Sequence, residues 1–226
     1  MKRISRVELN KNTKRADVYL DGRLAFSLPA GLALGKGLAS GQELDDRQVE
    51  SLAEACRAQR CYDDAARFLT YRPRSESEVR NHLAKRGFKP ATVETVIGRL
   101  KALGLVDDAA FARFWSENRA SFSPRSRSLT SQELKQKGVG ADIVTDAVAV
   151  DDEESAYNAA LIGLRRLPVA NYPDFNRRLG NFLRRRGFNY EVISHTLERV
   201  WREFGSSPDR LGAGSPGTKS KGGLNI

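Results

Sequence analysis

A short pattern, Leu-x-x-(Lys/Arg)-Gly, recurs three times in this chain of 226 residues and constrains its fold more than any other feature. It reads Leu83-Ala84-Lys85-Arg86-Gly87, Leu134-Lys135-Gln136-Lys137-Gly138 and Leu183-Arg184-Arg185-Arg186-Gly187, with the glycines 51 and 49 residues apart. An apolar residue follows each glycine (Phe88, Val139, Phe188), and others stand six places on (Val93, Val144, Ile193) and ten places on (Ile97, Val148, Leu197). A second marker keeps step: the acidic pairs Asp63-Asp64, Asp107-Asp108 and Asp151-Asp152 are spaced by 44 and 44. Two independent markers recurring together identify three copies of one module.

Each copy reads as three short helices. The aspartates suit a helix N-terminus, where a carboxylate caps orphan N–H groups and meets the positive end of the dipole. Phe68 and Leu69 in copy one, and Phe111, Phe114 and Trp115 in copy two, mark a buried first-helix face. Ser75 with Glu78 three residues on is a capping box for the second helix of copy one, which buries Val79 and Leu83. The glycines then fit a left-handed residue past the helix end, and the basic residues before them complement the negative end of the dipole. Pro90 opens the third helix, where its missing N–H costs nothing. Such small units bury little alone, so they are expected to stack into an elongated array.

The first thirty residues alternate differently. Ala16, Val18 and Leu20, then Asp21-Gly22, then Leu24, Phe26 and Leu28 form a hairpin signal, with Ile4, Val7 and Leu9 as a further strand. A sheet of two or three strands needs a helix against it, and residues 46–71 supply one, with a break expected near Cys61-Tyr62-Asp63-Asp64. The fold is therefore mainly α. An N-terminal hairpin extension occupies 1–45, and a helical linker with repeat one 46–105. Repeat two spans 106–150 and repeat three 151–205, followed by a tail (206–226) whose Gly, Ser and Pro content predicts disorder.

Composition excludes several functions. Two cysteines rule out a disulfide scaffold; five residues apart on a helix they face about 140° away from each other, and no histidine lies near to complete a metal site. The string Gly31-Leu32-Ala33-Leu34-Gly35-Lys36-Gly37 has three residues between its first two glycines, where a phosphate loop has four, and it lacks the Ser or Thr after lysine. It reads as a helix and turn. His82 and His195 belong to different modules and have no nucleophile motif beside them. The chain is expected not to be an enzyme and to need no metal or cofactor. With no run long enough to span a membrane and no apolar signal core, it is expected in the cytoplasm, and repeats linked without a self-complementary apolar stripe predict a soluble monomer.

The formal charge of +10 points to an anionic partner. The basic residues gather around the second helix of each copy. Arg72, Arg74, Arg80, Lys85 and Arg86 surround the first; Arg125, Arg127, Lys135 and Lys137 flank the second; Arg177, Arg178, Arg184, Arg185 and Arg186 line the third. If the copies stack in one sense, these residues form one stripe for a partner or DNA.

Asp107-Asp108-Ala109-Ala110-Phe111-Ala112-Arg113-Phe114, Tyr71-Arg72-Pro73-Arg74-Ser75-Glu76-Ser77-Glu78-Val79 and Leu83…Gly87 resemble the RecX regulatory proteins of bacteria, over about residues 60–204. Ser126-Arg127-Ser128 departs from that family's pattern, where a glycine is frequent. The resemblance implies tandem three-helix repeats that dock in the helical groove of a RecA–DNA filament and span adjacent subunits. It further implies inhibition of the recombinase, ATPase and co-protease activities of RecA, in DNA repair and the SOS response, with weak direct binding to single- or double-stranded DNA. A non-sequence-specific DNA-binding protein acting without RecA is the alternative reading.

Overall fold

The N-terminal alternation forms an antiparallel sheet of four strands, β1 (Lys2–Asn10), β2 (Arg15–Leu20), β3 (Arg23–Pro29) and β4 (Glu43–Leu44), in the order β3-β2-β1-β4. This computed structural model describes residues 1–10, 12–149, 151–165 and 171–204, so the tail expected at 206–226 lies outside the described residues. Asp21 and Gly22 join β2 to β3 with φ of 49° and 82°, the pair of left-handed residues whose twist matches the flanking strands. The fourth strand exceeds the two or three expected, because two residues are too few to show an alternation. Ile4, Ala16, Val18, Leu20 and Leu28 line the inner face. That face is closed by Ala33 of α1 (Ala30–Gly35) and by Leu52 and Cys56 of α2 (Asp46–Thr70).

Helix α2 runs unbroken for 25 residues, about 37 Å, which corrects the expected interruption near Cys61. Nothing from Cys61 to Asp64 is a helix breaker, and both aspartates are balanced in place. Gln59 donates to Asp63 at 2.8 Å, and Arg86 to Asp64 at 3.0 Å. Asp63-Asp64 therefore lies inside a helix and does not cap one. A capping box formed by Asp45 and Gln48 starts α2 instead. Its first half seals the sheet, and its second half, through Cys61 and Ala65, enters the core of repeat one.

That core is completed by α3 (Glu76–Lys85) and α4 (Pro90–Ala102), through Val79 and Leu83 on one and Val93, Val96, Ile97 and Leu100 on the other. The chain separates into two compact units, 1–108 and 109 onward. The second carries α5 (Asp108–Phe122) from its second residue onward, α6 (Arg127–Gln136) and α7 (Ala141–Ala147), then α8 (Asp152–Leu164), α9 (Tyr172–Arg184) and α10 (Tyr190–Phe204). Phe111, Leu134 and Val144 anchor one core of this unit; Phe175, Leu179, Leu183 and Val200 anchor the other.

The recurring pattern has one geometry in all three copies. Gly87, Gly138 and Gly187 have φ of 83°, 80° and 84°. Each glycine N–H donates to the carbonyl three residues back, at 2.9, 2.9 and 3.0 Å. The next N–H reaches the leucine carbonyl five residues back, at 3.3, 3.1 and 3.4 Å, so every second helix ends in a Schellman turn. Ser75 and Ser126 cap α3 and α6, so the serine of the departing Ser126-Arg127-Ser128 segment caps its helix.

The acidic pairs do more than cap. Asp151 caps α8, whereas Asp152 Oδ1 accepts the N–H of Arg127, the first residue of α6, at 2.6 Å. Asp108 Oδ1 accepts the N–H of Glu76, the first residue of α3, at 2.8 Å. Within the second unit, Asp152 thus ties repeat three to the second helix of repeat two. At the later junction, Ser126 N–H also donates to the Arg186 carbonyl at 3.0 Å.

Candidate partner-binding surface

The basic residues divide into two groups with different work. In repeat one, Arg72 grips Glu78 with both Nη atoms, at 2.9 and 3.2 Å, and Glu78 in turn completes the Ser75 capping box. Arg74 lies over the Phe68 ring at 4.1 Å. Arg80 bridges α3 and α4, with Nη2 on Glu76 at 2.6 Å and Nε on Glu94 at 2.8 Å. Lys101 reaches Glu76 at 2.8 Å, and Lys101 and Arg80 together hold that carboxyl below the usual carboxylate range.

The basic residue next to each glycine folds back on its own repeat. Arg86 pairs with buried Asp64, Lys137 lies 4.3 Å above the Trp115 ring, and Arg186 lies 3.7 Å above Phe182. The Arg86 hydrogen bond lowers the pKa of Asp64, which also meets Arg67 at 3.3 Å and His82 Nε2 at 3.4 Å. His82 stacks flat on Phe68, the rings 4.0 Å apart. The lysine or arginine that defines the sequence pattern is therefore held on its own repeat, a role hidden from the sequence in repeat one because Asp64 lies 22 positions away.

Elsewhere the same division holds. Arg125 pairs with Glu133, which also takes Arg119 Nε at 2.8 Å and Trp115 Nε1 at 2.9 Å. Arg178 and Arg177 both bind Asp174 and keep its carboxyl ionised to lower pH than usual. Lys85, Arg127, Lys135, Arg184 and Arg185 are exposed and form no ion pair among the described residues. Four of them, Lys85, Lys135, Arg184 and Arg185, sit two or three residues before the repeat glycine. Their common place is the last turn of each second helix, close to its negative end, where a cation is also favoured by the dipole.

Among the described residues, no group of three His, Cys, Asp or Glu could hold a metal, and no helix is long and apolar enough to cross a membrane. Cys56 and Cys61 are buried and free, and burial pushes the Cys61 thiol up to about 11.

Two family models match this chain, the first three-helix domain of RecX over residues 61–100 and the second over 107–148. A regulatory protein RecX of Bacillus velezensis is 28% identical over 194 residues, covering 84% of this chain and 74% of that protein. One of Lactobacillus johnsonii is 29% identical over 202 residues, covering 87% and 74%. A crystal structure of a regulatory protein RecX superposes with a TM-score of 0.68 at 26% identity, over 88% of this chain and all of the other. The chain belongs to the RecX family of regulatory proteins.

Proposed function

We propose that this chain binds the RecA–DNA filament, in its helical groove, and restrains the recombinase, ATPase and co-protease activities of RecA in DNA repair. The carrying observation is the recurrence, near the end of every second helix, of exposed cations without an ion pair among the described residues: Lys85, Lys135, and Arg184 with Arg185. A surface repeated with the module suits a partner that is itself built of repeating subunits. It supports the reading because each cation can meet an equivalent acidic or phosphate group at small desolvation cost. The chain acts as a cytoplasmic monomer without catalysis of its own, and the paired residues Arg72, Arg80, Arg86, Arg125, Arg177 and Arg178 shape the surface more than they touch the partner.

Co-sedimentation with RecA filaments, formed on single-stranded DNA with a slowly hydrolysed nucleotide, tests this directly. The chain pellets with the filament at physiological salt and stays in the supernatant with DNA alone. The net charge of +10 favours a second reading, non-sequence-specific DNA binding that needs no RecA. Pelleting with bare DNA to the same extent would establish that reading instead.

A further inference from the structure

Superposing the repeats by their glycines sets repeat three exactly one hundred residues from repeat one. In repeat one, the groove between the second and third helices is stapled shut: Arg80 of α3 holds Glu76 beside it and Glu94 of α4 opposite. All three staple residues change in repeat three, to Asn176, Gly180 and Ser194. The corresponding groove, between α9 and α10, is open, with a volume of about 570 Å³.

Gly180 is buried beside α10, yet packing does not demand glycine there, since alanine would fit. It has no left-handed φ, and a Cβ there would sit 3.6 Å from Leu197 Cδ1 and 3.9 Å from Ile193 Cγ2, both ordinary contacts. Mid-helix glycine weakens a helix relative to alanine, so the position carries a cost whose visible result is the open recess. Ile193 and Leu197 supply apolar lining, and Asn176, Asn181, Ser194 and Glu198 supply polar lining. Tyr190 stands at the rim with 82% of its surface exposed. Tyr172 stands at the other rim, fixed edge-on against Trp201 at 4.9 Å. Arg184, exposed and without an ion pair among the described residues, lines the same groove.

We propose that this groove receives an unpaired base of a single-stranded nucleic acid. A tyrosine ring offers a stacking face, the walls offer both donors and acceptors to the base edge, and Arg184 meets the adjoining phosphate. A paired base cannot enter, because its edge is occupied and both its faces are stacked. This goes beyond the filament reading, and it needs no RecA to be tested.

The full chain is titrated at low salt, without RecA, into labelled single strands of about 15 nucleotides, either oligothymidine or an abasic deoxyribose-phosphate chain of equal length. Fluorescence anisotropy reports the affinity. Oligothymidine binds at least about fivefold more tightly than the abasic chain, as loss of stacking on one base predicts. Rebuilding the staple with Asn176→Glu, Gly180→Arg and Ser194→Glu abolishes that preference. Tyr190→Ala, an exposed change that leaves folding intact, reduces it severalfold and serves where the triple variant fails to fold. Equal affinity for the two strands, no measurable binding to either, or a preference that survives Tyr190→Ala overturns the proposal. So does a rebuilt variant that loses inhibition of RecA yet keeps its preference for bases, since the groove then takes a protein side chain.

Discussion

Replacing Gly187 and Gly87 by alanine, one at a time, separates two costs that the repeat pattern superimposes. Both glycines have nearly the same left-handed backbone, φ of 84° and 83°, and both close a Schellman turn. Alanine held in that conformation costs about 1–2 kcal/mol. At Gly87 the added methyl meets nothing within 4 Å, so that strain is the whole cost. At Gly187 it would lie 2.6 Å from Ser126 Oγ and 2.8 Å from Leu129 Cβ. Neither atom yields easily: the hydroxyl accepts the Leu129 N–H at 3.2 Å, and a Cβ moves only with its backbone. Overpacking of this kind adds about 1–3 kcal/mol, giving about 2–5 kcal/mol in all. Native-state hydrogen exchange reads each unit separately, through amides of α3 for Gly87→Ala and of α9 for Gly187→Ala. Exchange limited by opening of the unit accelerates about 5–30-fold in the first variant, and a further 5–140-fold or so in the second, at about 1.4 kcal/mol per decade. Equal acceleration in the two units would refute the junction contact and leave only the turn.

Asp64→Asn destabilises the first unit by about 1–2 kcal/mol near neutral pH, less than a fully buried pair because Arg86 and Arg67 regain water when the carboxylate goes. The folded pKa of Asp64 is depressed, so its contribution is present above the ordinary carboxylate pKa and disappears as pH falls through the lowered folded value. Urea midpoints therefore drop on acidification more steeply in the parent than in the variant, and parallel pH profiles would contradict the pairing. Ser126→Ala removes a helix cap and costs about 1 kcal/mol, measured by the urea midpoint of the second unit. The Cys61 thiol, buried and shifted to about 11, resists a thiol reagent at mild alkaline pH until denaturant is added. Rapid labelling of the native chain would show that the α2–α3–α4 core opens.

Much of the architecture was legible because its signals are local. The three glycines announce left-handed helix ends, Ser75 with Glu78 announces a cap, and Asp21-Gly22 announces a hairpin. What escaped depends on partners distant in the chain. Asp63-Asp64 looks like the other acidic pairs, yet its surroundings place it inside α2, where Arg86 arrives from 22 residues away. The second aspartate of each later pair reads as a cap, yet it accepts an N–H 32 residues back from Asp108 or 25 back from Asp152. Sequence likewise treats Lys85 and Arg86 as one basic cluster. Both are exposed, and only the fold separates the one without an ion pair among the described residues from the one bound to a buried carboxylate. The open groove of repeat three was hidden for a related reason: its meaning lies in what Arg80 does in repeat one, which no spacing reveals.

The central claim, that exposed cations on the second helices engage a RecA filament, is tested most directly by DNA-dependent RecA ATPase titrated with the chain. The decisive variant carries Lys85→Gln, Lys135→Gln, Arg184→Gln and Arg185→Gln, surface changes each expected to cost no more than about 1 kcal/mol through the lost helix-end interaction. The parent inhibits hydrolysis at physiological salt, and the variant, melting as the parent does, loses most of that inhibition. Inhibition unchanged in the folded variant, or absent from the parent, would contradict the account.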